Sequence, residues 1–301
     1  MGKFYYQFFL GVYNIGIRIT AWWNPKAKKW VLGRKDIFSK LSAIDNNNNK
    51  QTVWMHCASV GEFEQGRPVL EKLKAENEKL KVVLTFFSPS GYEACKNYTI
   101  ADNIFYLPMD SSVNAVRFLD IVKPSLVLWV KYEYWFYYLN EIKKRNIPLL
   151  LVSGVFRDDQ PFFKWYGLFW KKMLYCFSHL FVQNGTSKNS LSEIGFEKNV
   201  TVSGDTRFDR VEAIANKFEP LPVIENFIGN NKVIVAGSTW EEDEELFIHF
   251  VNTHPQIKLI LAPHEIDAEN IKNIKKHFPG NFTFSIINCK WTTINYKLPD
   301  C

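Results

Sequence analysis

Glu62 is the residue of this chain best placed to do chemistry. It ends Ala58-Ser59-Val60-Gly61-Glu62, which follows the apolar run Val53-Trp54-Met55-His56-Cys57 and precedes an amphipathic stretch from Phe63 to Glu76. A β-branched and aromatic run, a small-residue turn and a helical pattern read as strand, turn and helix. The carboxylate then sits at a helix N-terminus and at the carboxyl end of a strand, where open α/β sheets build their sites. Unpaired amides and the helix dipole favour it there. The same position suits a general base acting on a substrate hydroxyl. A helix-start carboxylate with only a capping role fits the pattern as well.

Further candidates stand at other strand ends. Glu133 follows the run Leu126 to Tyr132, and Gly204-Asp205-Thr206-Arg207 follows Val200 to Ser203. Gly237-Ser238-Thr239 precedes a helix opening at Trp240-Glu241, and Pro263-His264-Glu265 follows Lys258 to Ala262. Small residues before a helix leave backbone amides open to a phosphate or carboxylate. Ordinary N-capping by Ser238 and Thr239 is the alternative. The acidic run Glu241 to Glu245 suits a first helical turn without any ligand. His254 and His264 have no metal-ligand spacing, and the sequence contains no HExxH, GxSxG, Walker A or GxGxxG signature.

The elements that must carry these residues alternate. Lys81 to Phe87, Ile104 to Pro108, Leu126 to Tyr132, Pro148 to Ser153 and His179 to Gln183 are buried-type strands separated by helical stretches. Continuous apolar runs of this kind predict a parallel sheet covered on both faces. A second series starts at the strand Lys232 to Gly237 and continues through a helix from Glu241 to Val251 and the strand Lys258 to Ala262. It predicts a second α/β domain, with the polar stretch Ala213 to Asn231 as the joint, and 301 residues exceed the usual single-domain size. Two such domains are expected to place a cleft between the carboxyl ends of their sheets, where the candidate residues collect.

Hydrophobic content of 47% and charged content of 23% exclude a disordered chain. The net charge of +6 favours an anionic surface or ligand. Five scattered cysteines without a CxxC pair argue against a zinc site or a disulfide framework and fit a reducing compartment. The stretch Phe4 to Trp23 is largely apolar and aromatic, yet Arg18 makes it a poor spanning segment, and it has no signal-peptide cleavage pattern. Trp22 and Trp23 are followed by Lys26, Lys28, Lys29, Arg34 and Lys35. Aromatic anchors before a basic cluster suit a segment lying in, or inserted into, an anionic membrane face. A first core helix followed by a solvated basic loop is the other reading. Asp45 to Lys50 reads as a polar linker into the first strand.

Seven short segments, in order, give the chain a family resemblance: His56–Glu62, Phe87–Gly91, Tyr106–Asp110, Lys131–Trp135, Val202–Asp209, Ala236–Thr239 and Ala262–His264. On these it resembles the 3-deoxy-D-manno-octulosonic acid (Kdo) transferases of lipopolysaccharide assembly. The resemblance implies the two-domain glycosyltransferase architecture called GT-B. It implies transfer of Kdo from CMP-Kdo to a lipid A precursor, lipid IVA, on the cytoplasmic side of the cell inner membrane, with no metal or cofactor needed for the transfer and no nucleic acid as partner. It implies Glu62 as general base, with Glu133 and Arg207 stabilising the transition state from either side of the cleft. A mutual salt bridge between Glu133 and Arg207 is the alternative. Donor binding falls to Ser238, Thr239, Pro263 and His264.

The family usually carries Lys where Arg207 stands, and Arg where His264 stands. Arg207 keeps the charge with a different geometry, and His264 keeps a donor without a permanent charge. Family members also run on well past the position of Cys301, through a Gly-rich turn and a helix-start segment that holds the nucleotide. The expectation is therefore an α/β, GT-B type chain of two Rossmann-like domains, the second incomplete, behind an N-terminal membrane-associated helix. Residues 1–35 form the membrane-associated segment, 51–212 the acceptor-side domain and 213–301 a partial donor-nucleotide domain. Such a stunted second domain is expected to hold CMP weakly, to transfer no Kdo by itself and to yield to protease beyond Glu219. A catalytically inactive, membrane-associated remnant is the alternative function, and a nucleotide-sugar epimerase of similar fold a third reading.

Overall fold

The structure, a computed structural model, describes residues 2–44, 51–131, 133–254, 256–264 and 268–277. The linker read at Asp45 to Lys50 and the chain end near Cys301 lie outside the described residues. The chain divides into two compact units, Met1–Asn216 and Lys217–Cys301.

The first unit opens with three helices, α1 (Gly2–Thr20), α2 (Pro25–Gly33) and α3 (Ile37–Leu41). Strand and helix then alternate: β1 (Thr52–Cys57), α4 (Val60–Glu76), β2 (Lys81–Phe86), α5 (Pro89–Cys95), β3 (Asn103–Tyr106), α6 (Ser112–Val122), β4 (Leu126–Val130) and α7 (Phe136–Lys144). They continue through β5 (Leu149–Gly154), α8 (Leu168–Leu174), β6 (His179–Val182), α9 (Gly185–Glu193), β7 (Val200–Val202) and α10 (Arg207–Ala215). The seven strands form one sheet in the order β3-β2-β1-β4-β5-β6-β7, every pair parallel.

The apolar runs of the sequence have this outcome because both sheet faces are covered. Every residue of β1 and β2 is buried. Side chains alternate across a strand, so Val53, Met55 and Cys57 join a core with Phe63, Leu70 and Phe86, while Trp54 joins Phe118, Trp129 and Tyr138 on the other face. Helix starts follow ordinary capping chemistry. Ser88, Ser111 and Asn184 accept from the backbone amides of Gly91, Asn114 and Ser187 at 3.1, 3.1 and 2.8 Å.

The second unit contains α11 (Pro222–Ile228), β8 (Lys232–Thr239), α12 (Glu241–Thr253), β9 (Ile257–Pro263) and α13 (Ala268–His277). Strands β8 and β9 pair in parallel, and Val251 and Ile274 centre a small core with Phe247, Leu259 and Leu261. Two details differ from the sequence reading. The stretch read as an irregular joint contains α11, with Pro222 at its first turn, a position where proline suits a helix. Strand β8 also runs two residues further than its apolar run and takes in Ser238 and Thr239.

Candidate active site

The strand order fixes where a site can form. The chain moves outward from β1 to β2 and β3, then returns to place β4 on the other side of β1. Ligands bind α/β sheets at such a reversal, outside the carboxyl ends of the strands. Glu62 and Glu133 follow the two strands concerned, β1 and β4, which pair directly with His56 opposite Trp129.

Glu62 is buried in the first turn of α4. Ser59 is the N-cap residue, but its hydroxyl makes no capping bond. Glu62 instead reaches back and accepts the Ala58 amide on Oε2, a variant of the reciprocal bond in a capping box. The capping and catalytic readings therefore share one geometry: the bond that ends the turn also holds the carboxylate still. Glu133 is gripped from both sides. Its Oε2 lies 2.8 Å from His56 Nε2 and accepts from Trp135 Nε1 at 3.0 Å, while Trp129 Nε1 donates to its backbone carbonyl. His56 is fully buried, and its Nδ1 lies 2.9 Å from Thr85 Oγ1, which also accepts from Trp54 Nε1 at 2.8 Å. One polar chain thus runs from β2 through β1 to Glu133.

Arg207 belongs to the first unit and pairs with Asp205. Its Nε and a terminal nitrogen bond Asp205 Oδ2 at 2.9 and 2.6 Å, and its amide bonds Oδ1 at 3.0 Å. The loop before α10 and the first turn of α10 are fastened to α4: Gln65 Nε2 donates to Asp205 Oδ1 at 3.1 Å, the Thr206 hydroxyl to the Gln65 carbonyl at 2.5 Å, and Arg210 meets Glu64 at 2.6 Å. Burial works to raise the Asp205 carboxyl, but the Arg207 and Gln65 bonds outweigh it and hold it down at about 2. Lys131 follows β4 with a backbone φ of 60°, a conformation non-glycine residues rarely adopt. Burial lowers its ammonium below the usual range and Arg207 adds to the effect, while Asp205 and Glu62 oppose it. Glu62, Asp205 and Arg207 therefore each lie within electrostatic reach of Lys131. Sequence reasoning named Glu62, Glu133 and Arg207 but gave no role to His56, Lys131, Asp205 or Gln65. For Asp205 the available signal was its place after a strand; Lys131 was read inside the strand Leu126 to Tyr132, but β4 ends at Val130.

In the second unit Ser238, Thr239, Pro263 and His264 come together, because Thr239 lies opposite Pro263 at the carboxyl ends of β8 and β9. The N-cap position of α12 is Trp240, not Ser238 or Thr239. Thr239 Oγ1 instead donates to the buried Glu244 at 3.0 Å, and Asp243 accepts the Trp240 amide at 3.0 Å. His264 donates its amide to the Thr239 carbonyl at 2.9 Å and stacks on Trp240 with ring centroids 4.4 Å apart. Carboxylates already occupy the start of this helix. Among the described residues no cluster of three or more His, Cys, Asp or Glu could hold a metal ion.

Helix α1 is docked along one face and bare along the other. Tyr6 and Leu10 are buried, and the Tyr6 hydroxyl donates to Asp110 at 2.6 Å. Phe4, Phe8, Phe9, Ile15, Trp22 and Trp23 are exposed. Among the described residues no helix is long and apolar enough to cross a membrane. Arg34 does not belong to the exposed basic cluster in which the sequence placed it. Its guanidinium donates to the carbonyls of Phe87 and Leu107 at 2.8 and 2.9 Å and lies over the Trp30 ring. Burial draws it down to about 9, with Tyr106, Tyr13 and Glu133 opposing the drop.

Known proteins resemble this chain in sequence and in fold. Residues 35–210 match the family described as 3-deoxy-D-manno-octulosonic-acid transferase (kdotransferase). The 3-deoxy-D-manno-octulosonic acid transferase of Aquifex aeolicus is 28% identical over 76% of this chain and 58% of its own length. That of Haemophilus influenzae is 24% identical over 73% and 53%. A bifunctional glycosyltransferase/methyltransferase of Fusobacterium nucleatum is 26% identical over 78% of this chain and 38% of its own length. The chain thus spans about half the length of the curated relatives it matches. Among solved structures, the UDP-GlcNAc 2-epimerase of Neisseria meningitidis aligns with a TM-score of 0.55 at 18% identity, over 76% of this chain and 69% of that one. At that identity the likeness shows the GT-B type fold and nothing of the chemistry. The family match spans most of the first unit, including Glu62, Glu133 and Arg207, and on it the chain belongs to the 3-deoxy-D-manno-octulosonic-acid transferase family of glycosyltransferases.

Proposed function

We propose that this chain carries the acceptor side of a Kdo transferase that moves Kdo from CMP-Kdo to lipid IVA on the cytoplasmic face of the inner membrane. The observation that carries the reading is the pair of carboxylates, each held by defined donors, at the ends of β1 and β4. Glu62 takes the proton of the acceptor hydroxyl. The hydroxyl oxygen attacks the anomeric carbon of Kdo as the bond from that carbon to the CMP phosphate oxygen breaks, and CMP leaves with the electron pair. Positive character builds on the sugar ring and negative charge on the departing phosphate. The Glu133 carboxylate suits the first and the Arg207 guanidinium the second. Donor binding falls to Ser238, Thr239, Pro263 and His264 of the second unit.

A lipid acceptor requires a membrane-facing surface. The bare face of α1 supplies apolar and aromatic side chains, and Lys26, Lys28, Lys29 and Lys35 add charge beside it. Lysines near an anionic surface contribute about 1 kcal/mol each, so four give roughly 4 kcal/mol, with the apolar face adding to it. The test is transfer of Kdo from CMP-Kdo to lipid IVA, measured on this chain and on a version extended by the C-terminal half of the Aquifex aeolicus relative. Glu62→Gln should lower turnover roughly 10²–10⁴-fold with CMP binding unchanged. Turnover within a few-fold of the parent removes Glu62 from this role.

A further inference from the structure

We propose that the turn Lys164–Leu168 is a second membrane-contacting element, which sets Trp165, Tyr166 and Leu168 into the headgroup region of an anionic bilayer. The inference rests on the reading that the first unit docks on a membrane through α1. Trp165 is 95% exposed, Leu168 66% and Tyr166 56%. The residues on either side are the opposite: Phe162, Met173 and Leu174 are buried in the main core. Three apolar side chains thus project from a segment whose two ends are fixed.

The turn is built to hold that shape. Lys164 donates its amide to the Pro161 carbonyl at 3.3 Å, Gly167 to the Lys164 carbonyl at 2.8 Å, and Lys171 to the Gly167 carbonyl at 2.9 Å. A Cβ on Gly167 would stand 1.9 Å from the Pro161 carbonyl oxygen, so no other residue fits there without opening the turn. The Trp165 and Tyr166 rings meet edge to face at 5.6 Å. A closed turn with an aromatic pair at its tip loses little conformational entropy on insertion.

Charge and position both favour a bilayer. From Gln160 to Ser192 the sequence has no Asp or Glu, and Lys164, Lys171 and Lys172 flank the exposed tip. Trp and Tyr beside lysine is the composition of membrane interfaces. The turn also adjoins the start of α1: Phe169 packs on Gly2, and its ring lies 5.7 Å from that of Tyr6. Helix α8, which leads directly out of the exposed tip, therefore stands against the segment that carries Phe4, Tyr5 and Phe8 on its bare face.

The test uses an environment-sensitive dye at Tyr166→Cys or, separately, at Phe8→Cys, with Cys289→Ser and Cys301→Ser in both. Cys57, Cys95 and Cys176 are buried and out of reach of the reagent. Both dyes should shift to the blue on vesicles containing phosphatidylglycerol. Combined Trp165→Ala, Tyr166→Ala and Leu168→Ala should weaken binding to those vesicles by roughly ten- to a hundredfold with the circular dichroism spectrum unchanged. A shift at position 8 without one at position 166 overturns this inference and leaves the docking reading standing. No shift at either position overturns both. A shift at position 166 without lipid, growing with protein concentration, means that a second copy covers the turn, and it too overturns the assignment.

Discussion

Replacing Gly66 with alanine is expected to destabilise the first unit, although alanine is the better helix former. Two effects compete. Within a helix, Gly→Ala gains roughly 0.5–1 kcal/mol. Against that, a Cβ at Gly66 would lie 2.8 Å from Met55 Sδ and 2.9 Å from Val130 Cγ2, well inside the roughly 3.5–4.0 Å of ordinary contact. Met55 can swing its flexible thioether away, but Val130 is β-branched, buried and confined to few rotamers. Overfilling a packed core costs about 1–3 kcal/mol, so the balance is a loss of up to roughly 2.5 kcal/mol, centred near 1 kcal/mol. In a unit of this size each 1 kcal/mol moves the melting midpoint by about 2–4 °C. Gly61, five residues earlier on the same helix, is the control. A Cβ there meets only Ser59 Oγ at 3.9 Å, so Gly61→Ala has the helix gain without the clash and should be neutral or slightly stabilising. Thermal and urea unfolding of both variants, followed by circular dichroism, decides the matter. A Gly66→Ala variant that melts at or above the parent would refute the packing argument. The result bears on the site, because Met55 and Val130 sit on β1 and β4, and a lifted α4 would carry Glu62 with it.

Arg207→Ala should lower kcat more than it raises the donor KM, and Arg207→Lys should recover much of the loss; a pure KM effect makes Arg207 a binding residue only. Replacing Phe4, Phe8, Trp22 and Trp23, all exposed, with serine should weaken binding to phosphatidylglycerol vesicles at physiological salt at least about tenfold, and unchanged binding puts the main membrane contact elsewhere. Asp110 should leave a signature in the pH dependence of stability. Burial raises its carboxyl from an unfolded value near 3.8 to about 6, against the bonds from Tyr6 and the Tyr137 and Tyr138 amides. The folded state then holds the extra proton between those values, so stability should fall as pH rises from about 4 to 6 and level off above. Asp205, held at about 2, acts in the opposite sense lower down, its contribution vanishing as pH falls from about 4 toward 2. Asp110→Asn should flatten the upper slope in denaturation midpoints taken across that range.

What the sequence made legible was whatever depends on neighbours along the chain. The β1, β2 and β4 runs are apolar because both sheet faces are covered, and that reads directly from consecutive residues. The placement of Glu62 at a helix start was legible because its setting is a local strand, turn and helix, and its bond to Ala58 spans four residues. Arg34 was misplaced for the complementary reason. It stands among lysines in the sequence, yet its partners are the carbonyls of Phe87 and Leu107, more than fifty residues away. No local pattern distinguishes a cation that will be buried by such contacts from one that stays in water.

The same distinction separates the two carboxylates. The position of Glu133 follows from the run before it, but its hold depends on His56, 77 residues earlier, and on β1 lying beside β4 in the sheet. A parallel sheet can be threaded in several orders, and the apolar runs specify strands without specifying neighbours. Once β1 and β4 are adjacent, His56 and Glu133 meet, and the polar chain from Thr85 to Glu133 closes. The site is thus written in two layers. Residue type at a strand end marks a candidate, and strand order decides which candidates share an environment. Lys131 shows the second layer by itself: the sequence reads it as part of the strand run Leu126 to Tyr132, whereas β4 ends at Val130 and the fold brings the lysine within reach of Glu62, Asp205 and Arg207.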